Sequence, residues 1–188
     1  NVNINKSTLK KLNNIKIDHV IHCSGGGFKK YDKYLRLHEL RNLFNINFYS
    51  IYELNRCLIK NKQKNHKLNI IMISTIAAFE NKASLGYSAA KSVLLNYNKN
   101  LAINFSEEKV VTKLIIPGSF LSTKGSMSRL KKENKKIFKK LENLMPSAKM
   151  QTSNEILKFT ELLLKQESDL LNGSYVSLSN LESKSIFL

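Results

Sequence analysis

Residues 69–74 read Asn-Ile-Ile-Met-Ile-Ser, a continuous apolar run closed by a hydroxyl. Its length and β-branched content suit a strand buried on both faces, as in a parallel sheet. Residues 87–91 read Tyr-Ser-Ala-Ala-Lys and lie within an apolar-periodic helix expected over 85–106. Tyr87 and Lys91, four apart, share one face of that helix. An ammonium beside a phenol favours the phenolate; bringing a tyrosine from about pH 10 to neutrality takes about 4 kcal/mol of such help. Ser74, thirteen residues before Tyr87, closes its strand at the end where open α/β sheets bind ligands. Tyr-x-x-x-Lys alone is common by chance on exposed helices. Joined to a strand-end serine at this distance and to a glycine run after the preceding strand, it marks a site.

Moving outward, Asp18-His19-Val20-Ile21-His22-Cys23 is a short strand stopped by Ser24-Gly25-Gly26-Gly27. Residues 36–60 carry Leu40, Leu43, Phe44, Phe48, Ile51, Leu54 and Leu58 at helical spacing and predict one long helix. Residues 110–116 form a third strand, ended by Pro117-Gly118, and residues 173–178 a last one. Between these, 126–144 is a strongly basic helix candidate. Thr152 and Glu155 have capping-box spacing ahead of the apolar stretch Ile156–Leu164. The order β-α-β-α-β-α-α-β implies a parallel sheet with helices on both faces, with 1–188 as one domain and 1–14 as a polar N-terminal segment.

Composition sets the outer bounds. With 42% hydrophobic and 24% charged residues, the chain is an ordinary globular one. No apolar run is long enough to span a bilayer. Two distant cysteines, Cys23 and Cys57, exclude a disulfide scaffold and a multi-cysteine metal site and fit a reducing cytoplasm; His19, His22, His38 and His66 show no metal-ligand spacing, and no metal is expected. The net charge of +17 is carried almost wholly by lysine, since only Arg36, Arg41, Arg56 and Arg129 are arginine. Lysine, asparagine and isoleucine share A/T-rich codons, so codon bias accounts for the charge without a nucleic-acid partner, whose readers use more arginine and a recognisable module.

On these residues the sequence resembles the short-chain dehydrogenase/reductase family. Tyr87-Ser88-Ala89-Ala90-Lys91 is similar to its Tyr-x-x-x-Lys motif, Ser74 stands at its serine, and Asn47 matches its helix asparagine. Asp18 to Gly25 is similar to Asp-x-x-Val-Asn-Asn-Ala-Gly, with His22, Cys23 and Ser24 in place of the two asparagines and the alanine. Pro117-Gly118 resembles the turn beside the nicotinamide, and the hydroxyl expected five residues past the proline falls on Ser122, next to Thr123. The last strand lacks the usual Gly-Gly; Asn180-Leu181 follows instead.

The resemblance implies a Rossmann-like α/β fold and an oxidoreductase using NAD or NADP on a carbonyl or alcohol substrate. It makes Tyr87 the general acid/base. Lys91 would lower the Tyr87 pKa and bind the nicotinamide ribose, Ser74 would hold the substrate oxygen, and Asn47 would anchor a relay water. Ser24, Gly25, Tyr87, Lys91, Pro117 and Gly118 would line the cofactor, as would His22. It places the basic stretch 131–140 at a substrate lid, which suits an anionic substrate such as a nucleotide-sugar, an acyl carrier protein or a phosphorylated metabolite; a solvated helix face is the plainer alternative. It also implies a homo-oligomer paired through helices 36–60 and 85–106. The family's Gly-x-x-x-Gly-x-Gly turn and first strands have no counterpart, so 1–188 is expected to be the C-terminal two-thirds of a longer enzyme, with weak dinucleotide binding by itself. A non-catalytic binding protein on the same fold and a sugar-nucleotide or polysaccharide-pathway reductase stand as alternatives. Retention of Ser74, Tyr87, Lys91 and Asn47 favours a reductase.

Overall fold

The computed structural model describes residue 12 and residues 15–28, 32–80, 83–166 and 169–182. Apart from Leu12, which packs against the core, the expected polar segment 1–14 lies outside them. Four parallel strands form the main sheet: β1 (His19–His22), β2 (Leu68–Ile73), β3 (Val110–Pro117) and β6 (Tyr175–Leu178), in the order β1-β2-β3-β6. The parallel pairing is what the alternation of strands and helices predicts.

The two faces of β2 sort the helices into layers. Ile70 and Met72 point to one side, where Leu114 and Ile116 of β3 join Ile51, Leu58, Leu94 and Leu101. Ile71 points to the other side and meets Ile115 and Leu163, with Ile73 beside them. A period of two on both central strands therefore requires cover on both faces. Helices α2 (Ser50–Asn61) and α3 (Leu85–Phe105) supply one layer, and α6 (Ser153–Lys165) supplies the other. β3 is buried along its whole length, as a central strand must be. Among the described residues, β1 pairs on one side only, and Ile21 there is 40% exposed.

The helix expected at 36–60 runs from 37 to 61 but is not uniform. Helix α1 (Leu37–Phe44) passes through a π-helical turn (Asn45–Tyr49) into α2. Asn47 explains the wide turn. Its side-chain Nδ2 donates to the Leu43 carbonyl at 2.8 Å, inserting a side-chain donor into the helical ladder there.

The basic stretch 126–144 is two helices rather than the one expected. Helix α4 (Ser126–Glu133) ends at Asn134, whose extended backbone breaks the run. The Asn134 side chain then accepts from Ile137 N at 3.0 Å and starts α5 (Lys135–Glu142). Phe138, Met145 and Met150 close a satellite core beneath these helices, over a short parallel pair, β4 (Phe120–Leu121) with β5 (Gln151–Thr152), that sequence reading missed. The capping box is present: Thr152 N donates to Glu155 Oε2 at 2.6 Å and Glu155 N to Thr152 Oγ1 at 3.4 Å.

Candidate active site

The C-terminal ends of β1, β2 and β3 meet at one edge of the sheet. His22 of β1 is level with Met72 of β2, and Ser74 N donates to Ile115 O of β3 at 2.8 Å. Ser24–Gly27, Ser74–Thr75 and Pro117–Ser119 thus leave the sheet side by side. Helix α3 crosses behind them and brings Tyr87 and Lys91.

Lys91 is 4% exposed. Its ammonium donates to Ile73 O at 2.9 Å and Ser24 O at 3.2 Å. Burial pushes its pKa down to about 8, with the Cys23 thiol pulling the other way. Ser74 is equally buried, and its hydroxyl donates to the Lys91 backbone carbonyl at 3.2 Å. The direction follows from the strand: Ser74 continues the face of Ile70 and Met72, which looks into α3.

Asn47 has no exposed surface. Besides Leu43, it grips the glycine turn, with Nδ2 donating to Gly26 O at 3.1 Å and Oδ1 accepting from Gly26 N at 2.9 Å. The turn must be glycine. A Cβ on Gly25 would sit 2.6 Å from Asn47 Oδ1 and 2.8 Å from Lys91 Nζ. Gly25 and Gly26 also hold φ of +146° and +157°, which side chains disfavour.

Tyr87 is half-buried. Burial pushes its phenol up rather than down, and a hydrogen bond with the Thr75 hydroxyl pulls the other way. The expected depression by Lys91 is therefore not what the chain achieves here. The ammonium is directed to Ile73 and Ser24, and desolvation of the phenolate dominates. Thr75 is the residue that sequence reading missed. It leaves β2 in extended backbone, caps the short 3₁₀ turn Ile76–Ala78 by accepting from Ala77 N at 3.3 Å, and meets Tyr87. Its signal was a second hydroxyl directly after Ser74. Ser84, at the N-cap of α3, is a second omission: its buried hydroxyl has no partner among the described residues and lies near Gly27 and Tyr87 on the same wall.

The other expected site residues divide. His22 turns inward, where its Nε2 meets Asn55 Oδ1 at 2.7 Å, and burial holds its pKa below the ordinary value, so it props the strand instead of lining a ligand. Pro117 and Gly118 are buried at the sheet edge next to Ser74. Ser122 and Thr123 lie further out, in a groove of about 670 Å³ shared with Lys131, Lys132 and Lys135.

The sequence model of the family described as "Enoyl-(Acyl carrier protein) reductase" covers residues 6–179. The chain belongs to the short-chain dehydrogenase/reductase family. It is 27% identical over 146 residues to a 3-oxoacyl-[acyl-carrier-protein] reductase of Buchnera aphidicola subsp. Baizongia pistaciae, covering 77% of this chain and 58% of that protein. The chain thus spans less than two-thirds of that relative's length. A short-chain dehydrogenase/reductase family oxidoreductase from Burkholderia thailandensis superposes with a TM-score of 0.83 at 16% identity, over 93% of this chain and 68% of the other. ElxO with NADP bound superposes with a TM-score of 0.79 at 17% identity, over 95% and 71%. The α/β Rossmann-like reading of the sequence therefore holds.

The glycine turn fits the nicotinamide end of such a dinucleotide. Backbone without side chains at Gly25–Gly27 leaves room for close approach, beside the buried Lys91 ammonium and the Ser84 hydroxyl. The sequence offers no comparable glycine turn at a helix N-terminus for the pyrophosphate.

Proposed function

We propose that this chain carries the catalytic residues of an NADP- or NAD-dependent reductase acting on the carbonyl of an acyl-type substrate. The observation that carries the reading is the meeting of the buried Lys91 ammonium, the glycine turn and Tyr87 at the C-terminal ends of the strands, with Thr75 beside Tyr87. When bound, the nicotinamide supplies the hydride; the protein supplies position and protons. Tyr87, held protonated by burial, is suited to give its proton to the carbonyl oxygen in the reductive direction. Thr75 shares that oxygen with Tyr87, in the role the sequence suggested for Ser74. Asn47 pins the glycine turn, and the second lone pair of its Oδ1 is available to anchor a relay water. Lys91, still largely protonated at neutral pH, places a cation below the turn and fixes Ser24.

The substrate reading draws on the 3-oxoacyl-[acyl-carrier-protein] reductase relative and on the lysine-lined groove. Lys131, Lys132 and Lys135 surround Ser122, Thr123 and Ser128 with no carboxylate among the lining residues, which suits an anionic group on the substrate or its carrier. Pairing of two copies through α2 and α3 is supported by exposed Tyr49, Tyr52 and Ile103, the last 76% exposed. Leu101 of α3 faces away from such a surface and belongs to the core. No described helix is long and apolar enough to cross a membrane, and the reading places the reaction in the cytoplasm.

The test is Tyr87→Phe in the protein as its gene encodes it, with NADPH or NADH and a 3-oxoacyl thioester. The expected result is a fall in kcat of about 10³-fold with NADPH affinity kept within a few-fold. Equal turnover by the variant would refute the reading.

A further inference from the structure

After β6 the chain does not have the two glycines its relatives lead one to expect; it has Asn180 and Leu181. Both adopt left-handed backbone, with φ of +51° and +55°. Two consecutive side-chain-bearing residues in that region are strained, and such strain persists only where surrounding bonds enforce it. Here the bonds are visible. Asn180 Nδ2 donates to Lys149 O at 3.0 Å and to Ser147 Oγ at 3.2 Å, at the base of the helical lid. The reversal then carries Glu182 back to the end of β3. Its carboxylate is 8% exposed and accepts twice from one residue: Ser119 N at 2.5 Å on Oε2, and Ser119 Oγ at 2.9 Å on Oε1. Gly118 N donates to Leu178 O at 3.1 Å, and Gln151 Nε2 donates to the same carbonyl at 2.6 Å. Gly118 leaves room for this: a Cβ there would sit 2.7 Å from Ser179 O and 2.8 Å from Glu182 Oε2.

We infer that Glu182 is a positioning residue, a carboxylate latch that fixes the Pro117–Ser119 wall of the cofactor site to the post-β6 turn and, through Asn180 and Gln151, to the lid base. The part concerning the cofactor rests on the reductase reading above. The location is independent of it. Pro117 lies at the C-terminal end of the strand next to Ser74, on the ligand-binding edge of the sheet, and a charge-assisted double hydrogen bond is strong enough to hold a turn there. The latch acts through Ser119; Glu182 itself touches neither Tyr87 nor Lys91 among the contacts described.

The test uses Glu182→Gln, which keeps the shape and removes one acceptor, and Glu182→Ala, which removes both, in the protein as its gene encodes it. Amide hydrogen exchange is followed at Ser119 and Gly118, with Ile71 in the core as reference. NADPH affinity is followed by the cofactor's own fluorescence, and KM and kcat are measured alongside. Ser119 exchange should quicken about tenfold or more in Glu182→Gln and further in Glu182→Ala, with Ile71 unchanged. The dissociation constant and KM for the cofactor should rise about fivefold or more while kcat moves less. Unchanged Ser119 exchange would overturn the latch. A freed Ser119 with unaltered cofactor affinity would overturn its positioning role. Failure of the reductase reading looks different: the wild-type protein itself would bind no dinucleotide, and Ser119 exchange would then decide the latch alone.

Discussion

Around Lys91 the polar atoms are engaged with the protein itself, whereas around Thr75 they are left for a partner. Lys91, Ser74 and Asn47 are all buried, and each bonds to main-chain groups: Ile73 and Ser24, Lys91 and Leu43, Gly26. A few ångströms of chain away, Thr75 and Tyr87 are half-buried and meet each other, and the Ser84 hydroxyl has no partner among the described residues. The difference separates two tasks. The inner group fixes backbone and places charge. The outer group has hydroxyls whose bonds a substrate oxygen can replace without leaving a buried donor unsatisfied, which is the condition for binding without penalty.

If that division is right, damage to the inner group is paid mainly in stability. Asn47→Ala removes a partner from the buried Leu43 O and from Gly26 O and Gly26 N in the half-buried glycine turn. Urea unfolding should show a loss of about 3 kcal/mol, since each buried group left unsatisfied costs about 1–3 kcal/mol. A loss below about 1 kcal/mol would mean that water reaches the π turn, and the comparison would fail.

Lys91 sharpens the contrast through pH. Its pKa is about 8 in the folded chain against 10.5 ordinarily. Between those values the unfolded chain holds the proton more tightly, so stability from this group increases as pH rises from 8 to 10.5. Lys91→Met should lack that increase, a difference of up to roughly 3 kcal/mol between the two stability–pH curves. Parallel curves would place Lys91 in contact with solvent and in the outer group.

The sequence carried much of this, and its failures are instructive. A parallel sheet covered on both faces followed from the alternation of strands and helices, because β2 and β3 are apolar on both faces. Tyr87 and Lys91 were visible because helical spacing fixes their shared face. The choice between Ser74 and Thr75 was not, because alternation holds only as far as the strand does. Ser74 keeps the register of Met72 and turns into α3, while Thr75 is redirected by the 3₁₀ turn it caps. The break in the basic helix was hidden for a related reason: Asn134 caps α5 within a stretch whose lysines and apolar residues stay periodic across it. The latch at Glu182 joins residues 63 positions apart, beyond any local pattern.

The comparison rests most heavily on two adjacent hydroxyls, so kcat/KM for Thr75→Val and Ser74→Ala, measured side by side on a 3-oxoacyl thioester in the protein as its gene encodes it, is the most direct measurement. The account predicts that Thr75→Val loses about 10²-fold, the scale of removing one donor from a developing oxyanion, with kcat falling more than KM changes. Ser74→Ala should lose less than about fivefold, with its cost seen in stability through the unpaired Lys91 carbonyl contact. A large loss in Ser74→Ala with Thr75→Val near wild type would contradict the assignment and return the substrate oxygen to Ser74.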